Sequence, residues 1–303
     1  MRKAAYLLVA LMSPLYGQQA AAPAPASLVR EGVTEKLTAH VWAIPDGSAS
    51  LVPNVGIVVG SKAVLVIDTG MGTRNAQTVL KEVAKVGAGK PMYIVTTHVH
   101  PEHDMGAHAF PKSKLIRSKD QIADIAAGAG TSLVPMFSSR SDLNKELLAD
   151  ARHRDADIVF DQVYNLDLGG VTAKLQAMGL NHTLGDTVVL VDGVLFSGDI
   201  AMKPQPMFTN PAGTITHWLA SLDTLQAMQP KHIVPSHGPF GGVELIEGYR
   251  GYLTRIRART AELKRAGKSL DETIQVISGE MSAQYPDPFR LTSAIRAGYN
   301  EAS

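Results

Sequence analysis

His98-Val99-His100-Pro101-Glu102-His103-Asp104 follows directly on the apolar run Pro91-Met92-Tyr93-Ile94-Val95-Thr96-Thr97. The run is apolar and β-branched enough to be a buried strand in the middle of a sheet. The seven residues after it carry three imidazoles and three carboxyl-bearing or proline positions that break the strand. Neutral imidazole and carboxylate oxygen are first-rank ligands for zinc and related divalent ions. In an extended segment side-chain direction repeats every two residues, so His98 and His100 point to one side and can reach one ion. Pro101 cannot continue a β-ladder and begins a turn, which lets His103 address a second ion. The isolated histidines His40, His108, His153, His217 and His232 lack such company and read as ordinary polar residues.

Working outward, residues 40–44 alternate like a strand, 45–53 read as a Gly/Ser/Pro loop, and 55–59 and 63–67 form two strands joined by Gly60-Ser61-Lys62. The second of these ends at Asp68-Thr69-Gly70. Thr73 is placed to cap a helix with Val79, Leu80, Val83 and Val86 at helical spacing and Gly87 at its end. Past the histidine cluster, helices are predicted over residues 119–127 and from 142 to about 152, with a loop over 128–141 between them. Short strands follow at 171–178, 187–191, 194–197 and 232–235, separated by turn residues such as Asp192-Gly193. A helix over about 216–228 buries Trp218, Leu219, Leu222 and Leu225, and a longer one spans 243–266. Ser269-Leu270-Asp271-Glu272 is a capping box that opens a further helix. Two similar successions of strands and helices imply a layered α/β architecture with two sheets between helices. No linker-like segment divides it.

Met1-Arg2-Lys3 and the apolar stretch 4–12 form a secretory signal pattern. The stretch is far short of the about 20 residues a spanning helix needs, and Ser13-Pro14 interrupts it, so cleavage is expected rather than a stable membrane anchor. An Ala/Pro-rich leader follows. Residues 1–27 are therefore set apart as signal and leader, and 28–303 as one domain. The chain contains no cysteine, so an exported protein of this kind must be held by its core and its metals. A formal net charge of +1 with no basic block argues against nucleic-acid partners and leaves a small-molecule substrate. The expected location is the periplasm or the exterior of the cell.

One histidine-rich turn seldom completes a metal site, and three later strand ends offer more ligands. His182 lies in the turn Gly179-Leu180-Asn181-His182-Thr183-Leu184-Gly185-Asp186, Asp199 in Ser197-Gly198-Asp199, and His237 in Val234-Pro235-Ser236-His237-Gly238. Each stands beside glycine or proline at a strand terminus, where a rigid sheet presents functional groups on loops.

This ordered series, from Asp68-Thr69-Gly70 through His98, His100, Glu102 and His103 to His182, Asp199 and His237, resembles that of the metallo-β-lactamase-fold hydrolases. The resemblance implies an α/β fold, a four-layer αββα sandwich with the active site along one edge of its two sheets, and a centre of two Zn2+ ions. It implies that His98, His100 and His182 hold the first metal and His103 and His237 the second. Asp199 would bridge the two as a catalytic carboxylate, and Asp68 would orient ligands through hydrogen bonds. The family usually has Asp where this chain has Glu102. With one more methylene, Glu102 must reach in from a shifted backbone as ligand or proton shuttle, or act through water. Asp104 fits neither role and reads as a turn or supporting residue.

Two metals about 3.5–4 Å apart can share a hydroxide and polarise a substrate oxygen. Export points to opening of a cyclic amide, a β-lactam, with Lys203 or Asn210 receiving a substrate carboxylate or carbonyl. The 46–54 loop, with Leu51 and Val52, could cover an apolar substrate group. Metallo-β-lactamases commonly have Cys or Ser at the position of Asp199, which favours a lactone or other ester as the alternative. The chain also resembles exported hydrolases associated with quinoprotein systems, so a non-catalytic metal-binding accessory to such a system is a third reading.

Overall fold

The computed structural model describes residues 25–302, so the signal pattern and most of the leader lie outside the described residues. The first sheet runs in chain order: β1 (Glu35–Lys36), β2 (Val41–Ile44), β3 (Val55–Val59), β4 (Val64–Ile67), β5 (Met92–Val95), β6 (Ser113–Ser118) and β7 (Ile158–Phe160). It is antiparallel as far as β4 and parallel beyond. Crossing between β4 and β5 is α1 (Gly72–Gly87). Four shorter helices lie between β5 and β7: α2 (Pro101–Asp104), α3 (Lys119–Ala126), α4 (Val134–Ser138) and α5 (Asp142–Leu147).

The second sheet holds β8 (Val163–Asp167), β9 (Thr172–Gly179), β10 (Asp186–Val191), β11 (Val194–Gly198) and β12 (His232–Pro235), in the order β12-β11-β10-β9-β8. Only β11 and β12 pair in parallel, joined through α6 (Ile215–Ala227). The chain closes with α7 (Glu244–Arg265), α8 (Leu270–Met281) and α9 (Pro288–Glu301).

Side-chain alternation builds four layers from these parts. On β4, Leu65 and Ile67 join Val189, Phe196 and Val234 in a core between the sheets, whereas Val64 and Val66 pack with Ala76, Val79 and Val83 of α1. Strands buried on both faces read as continuous apolar runs, which is why the sequence marks them so plainly. The far face of the second sheet, with Val188, Leu195 and Ile233, is covered by Trp218, Leu222, Tyr249, Leu253, Ile256 and Ile295. The αββα sandwich expected from the sequence is the architecture observed.

Several elements differ from the sequence reading. The 128–141 stretch folds into a 3-10 turn and α4, because Pro135 sits in the helix's first turn, where a missing N–H is tolerated. The helix from Asp142 stops at Leu147, and Leu147 and Leu148 pack with Met71 and Phe137. Thr73 lies inside α1, whose N-cap is Met71, and its hydroxyl bonds Asp150 and His108. Strands β6, β7 and β8 and helix α9 have no counterpart in the sequence reading. Two of them carry charge in their interior, Lys114 and Arg117 on β6 and Arg290 on α9, which obscures their periodicity.

Candidate metal centre

The C-terminal ends of β4, β5, β9, β11 and β12 deliver Asp68, the histidine cluster, His182, Asp199 and His237 to one edge. Cross-links between the two sheets hold that edge together. Thr187 N donates to the Thr97 carbonyl at 2.8 Å, and Asn54 N, just before β3, to the Ser236 carbonyl after β12 at 2.6 Å. His98, His100, Glu102, His103, His182 and Asp199 are all buried, and His237 is partly so.

Their donor atoms gather in overlapping sets in which every ligand atom lies within 4.8 Å of the others: His98, His100 and His182; His98, His103 and Asp199; Glu102, His103 and His237. Two compartments thus share an edge, with Asp199 between them. Asp199 Oδ2 is 3.4 Å from His182 Nε2 and its Oδ1 is 3.9 Å from His237 Nε2. The Glu102 carboxylate does reach the second compartment, with Oε1 3.9 Å from His103 Nε2.

The chemistry of this donor set fits a cation. His98 Nε2, Glu102 Oε2 and Asp199 Oδ1 are buried without a hydrogen-bond partner, a costly state for groups that simply filled a core. Across the second compartment, His237 Nδ1 donates to the Val52 carbonyl at 3.0 Å and His103 Nδ1 to Asp68 Oδ2 at 2.9 Å. The other nitrogen of each neutral ring then carries a lone pair, and these two Nε2 atoms stand 3.2 Å apart. A proton shared between them satisfies that approach in the metal-free protein, and a metal cation would satisfy it in the proton's place.

The supporting bonds explain why the ligands point as they do. Asp68, 1% exposed, accepts from Thr97 N at 2.7 Å and Thr97 Oγ1 at 3.0 Å as well as from His103. It adopts φ 64, a left-handed backbone conformation uncommon for a residue with a Cβ and held here by those bonds. Asp68→Asn is expected to weaken binding of a divalent ion by the His103 group of ligands about 10- to 100-fold, read by competition with a chelating chromophore. His182 is fixed by Nδ1 donating to the Met207 carbonyl at 2.6 Å and by its backbone N–H donating to Asp186 Oδ2 at 2.6 Å. Burial pushes the Asp186 carboxyl up to about 8 despite its donors. Sequence reasoning missed Asp186, although a carboxylate four residues after a ligand histidine in a turn was the available signal.

Burial, with repulsion from neighbouring imidazoles, holds His98 and His100 well below the ordinary histidine value. Burial likewise raises Asp199, but His182, His237 and His103 outweigh it and keep this carboxyl well below the usual range.

The 46–54 loop corrects an expectation. Leu51 and Val52 are buried, Leu51 against Met71, Phe137 and Leu147 and Val52 beneath the first sheet, so they offer nothing to a substrate. The loop instead presents the Val52 carbonyl to His237, and Asn54 Nδ2 ties it to the carbonyls of Pro235 and Gly238 at 2.8 and 2.9 Å. Asn210 turns its Oδ1 to Ala212 N at 2.9 Å and shapes its own loop. Lys203 is exposed, and a Cβ on Gly238 would stand 1.9 Å from its carbonyl. The Lys203 backbone therefore packs beside the residue that follows His237. Of the isolated histidines, His40, His108 and His217 bond backbone carbonyls, as ordinary polar residues do.

A sequence profile of the metallo-beta-lactamase superfamily matches residues 50–237, from the loop that orients His237 to His237 itself. A linear primary-alkylsulfatase from a Pseudomonas species is 25% identical over 253 residues, covering 71% of this chain and 48% of its own. The chain spans about half the length of the curated relatives it matches. Among solved structures, the sec-alkylsulfatase Pisa1 from Pseudomonas sp. superposes with a TM-score of 0.66 at 16% identity, over 88% of this chain and 49% of its own. A metallo-beta-lactamase from Pontibacter korlensis gives 0.57 at 21% identity, over 73% of this chain and 98% of its own. By that profile, and by two sheets laid out as in these structures, the chain belongs to the metallo-beta-lactamase superfamily.

Proposed function

We propose that this chain is a zinc-dependent hydrolase working with two ions, and that it opens a small anionic substrate, first of all a cyclic amide of the β-lactam type. The observation that carries the reading is the meeting of two ligand sets at one buried carboxylate, Asp199. Two divalent ions at such an edge supply an activated water and polarise the oxygen of the bond under attack. Among the described residues no helix is long and apolar enough to cross a membrane. The signal pattern of residues 1–12 supports export to the periplasm or beyond, which N-terminal sequencing of the exported protein tests.

The residues of the chain take the remaining tasks. Glu102 Oε2, buried and unpartnered, is placed to hold a proton during turnover. Glu102→Gln is expected to lower the maximal rate at least about tenfold, within the usual range for loss of acid–base help. Unchanged rate and metal content would reduce Glu102 to support. Lys203, exposed and with its backbone packed beside Gly238, would receive the substrate's anionic group. Lys203→Met is then expected to raise KM with little change in kcat, the signature of binding that is equal in ground and transition states.

A second reading is hydrolysis of an ester, as a lactone or a sulfate ester. It is favoured by the alkylsulfatase relatives and by aspartate rather than a thiol at position 199. The zinc-loaded chain should be assayed in parallel on a chromogenic cephalosporin, an acyl-homoserine lactone and a linear alkyl sulfate. Turnover of the first supports the leading reading, and turnover of either of the others alone replaces it with the second. Metal uptake without turnover of any ester, lactone or lactam would leave the accessory role.

A further inference from the structure

Asp104 belongs to neither ligand set, yet it is fully buried, and Arg117 on β6 is 1% exposed. The two form a forked pair, with Arg117 Nη1 2.6 Å from Asp104 Oδ1 and Nη2 donating to Oδ2 at 3.0 Å. Thr96 Oγ1 donates to Oδ1 at 3.0 Å, and Arg117 Nε and Nη2 donate to the Arg154 carbonyl at 3.3 and 3.1 Å. His153 closes the cluster, with Nδ1 2.5 Å from Asp104 Oδ2 and Nε2 3.0 Å from the Ala129 carbonyl. At Gly130, with φ 73, a Cβ would stand 2.2 Å from the Val99 carbonyl and 2.8 Å from His153 Cε1. The backbone there is pressed between His153 and the residue that separates His98 from His100.

A buried ion pair adds little net stability, since desolvation offsets most of its attraction, and its best-attested use is to fix geometry. The geometry at stake is that of α2. This helix is a single turn, too short to hold itself, and its N-cap residue His100 makes no side-chain capping bond. It carries Glu102 and His103, and its last residue is Asp104. Because Glu102 is one methylene longer than aspartate, the reach of its carboxylate depends on where that turn is held.

We propose that Arg117, Asp104 and His153 form a positioning clamp that fixes the α2 turn, brings Glu102 and His103 to His237, and so sets the metal affinity of that compartment without touching the metal. The clamp rests on the two-compartment reading of the centre.

Zinc binding by the full chain, titrated against a chelating chromophore with melting temperature in parallel, tests it. A wild-type chain that takes up fewer than two ions overturns the two-compartment reading, and the clamp with it. Given two ions, His153→Ala is expected to weaken one site about 10- to 100-fold, the range for residues that support ligands, and to leave the other unchanged. His153→Asn, which restores a donor toward Asp104, recovers most of the loss. Arg117→Lys keeps the charge but not the fork, and is expected to weaken the same site; it decides alone if His153→Ala does not fold. A clamp of purely structural value would lower both affinities together with the melting temperature. That outcome, or no change in either affinity, overturns the proposal while leaving the metal centre standing.

Discussion

Asp199→Asn is expected to reduce hydrolysis by about 10²- to 10³-fold or more, the scale seen when one pre-organised electrostatic group is removed from a buried site. The substitution keeps the side chain's shape and deletes its charge. Asp199 is the carboxylate that approaches imidazoles of both compartments, at 3.4 Å and 3.9 Å, and surrounding histidines hold it ionised against the effect of burial. An amide in its place offers one weaker oxygen to either ion, so both affinities should fall along with kcat. Zinc content per chain and kcat/KM, measured on the same preparation, check this. An Asp199→Asn protein with two ions and near-normal turnover would remove Asp199 from the centre.

Zinc in the His103 compartment should bind more tightly as pH rises, by about tenfold per unit between pH 7 and 9. Burial disfavours a charged His103, but the Asp68 carboxylate at its Nδ1 outweighs that effect, with Glu102 and Asp199 adding to it, and raises the ring to about 9. In the metal-free protein a proton on Nε2 then lies between His103 and His237, and zinc must displace it. His98, His100 and His182 are shifted the other way, chiefly by burial. They have no proton to lose in this window, so the first compartment should respond little. The sign for folding is opposite. A group whose folded value is raised contributes stability that is complete below its unfolded value of about 6.5 and is lost as pH rises through about 9. Metal-free protein should therefore lose the His103–Asp68 contribution over the same range in which zinc affinity grows. Chelator competition at pH 7, 8 and 9 separates the compartments, and equal slopes for both would contradict the assignment of His103.

The candidate ligands were legible in the sequence because they follow strand ends: Asp68, His98, Asp199 and His237 come close after the apolar runs of β4, β5, β11 and β12, and Gly179 and Gly185 bracket the turn after β9 that carries His182. The strands β3, β4, β5, β10 and β11 are nearly all apolar, and their ends are easy to find. Where charge enters an element the pattern fails. Arg117 lies inside β6 and is buried only because Asp104, brought over by the α2 turn, meets it; no local periodicity encodes that encounter. His153 looked ordinary for the same reason, since its partner lies 49 residues away. Leu51 and Val52 misled in the other direction. Apolar residues in a loop suggest a cover for substrate, but α4, which has no counterpart in the sequence reading, and α5, which starts at Asp142 as expected but ends earlier, are what bury Leu51. The Asp287-Pro288 step did carry a readable signal for α9, because Asp287 caps the N–H groups of Phe289 and Arg290.

The claim that two compartments hold two ions is tested most directly by anomalous diffraction at the zinc edge from crystals of the zinc-loaded chain. Two peaks about 3.5–4 Å apart are expected, one among His98, His100 and His182, the other among Glu102, His103 and His237, with Asp199 reaching both. A single peak at full zinc loading, or a second peak away from His103 and His237, would contradict the account.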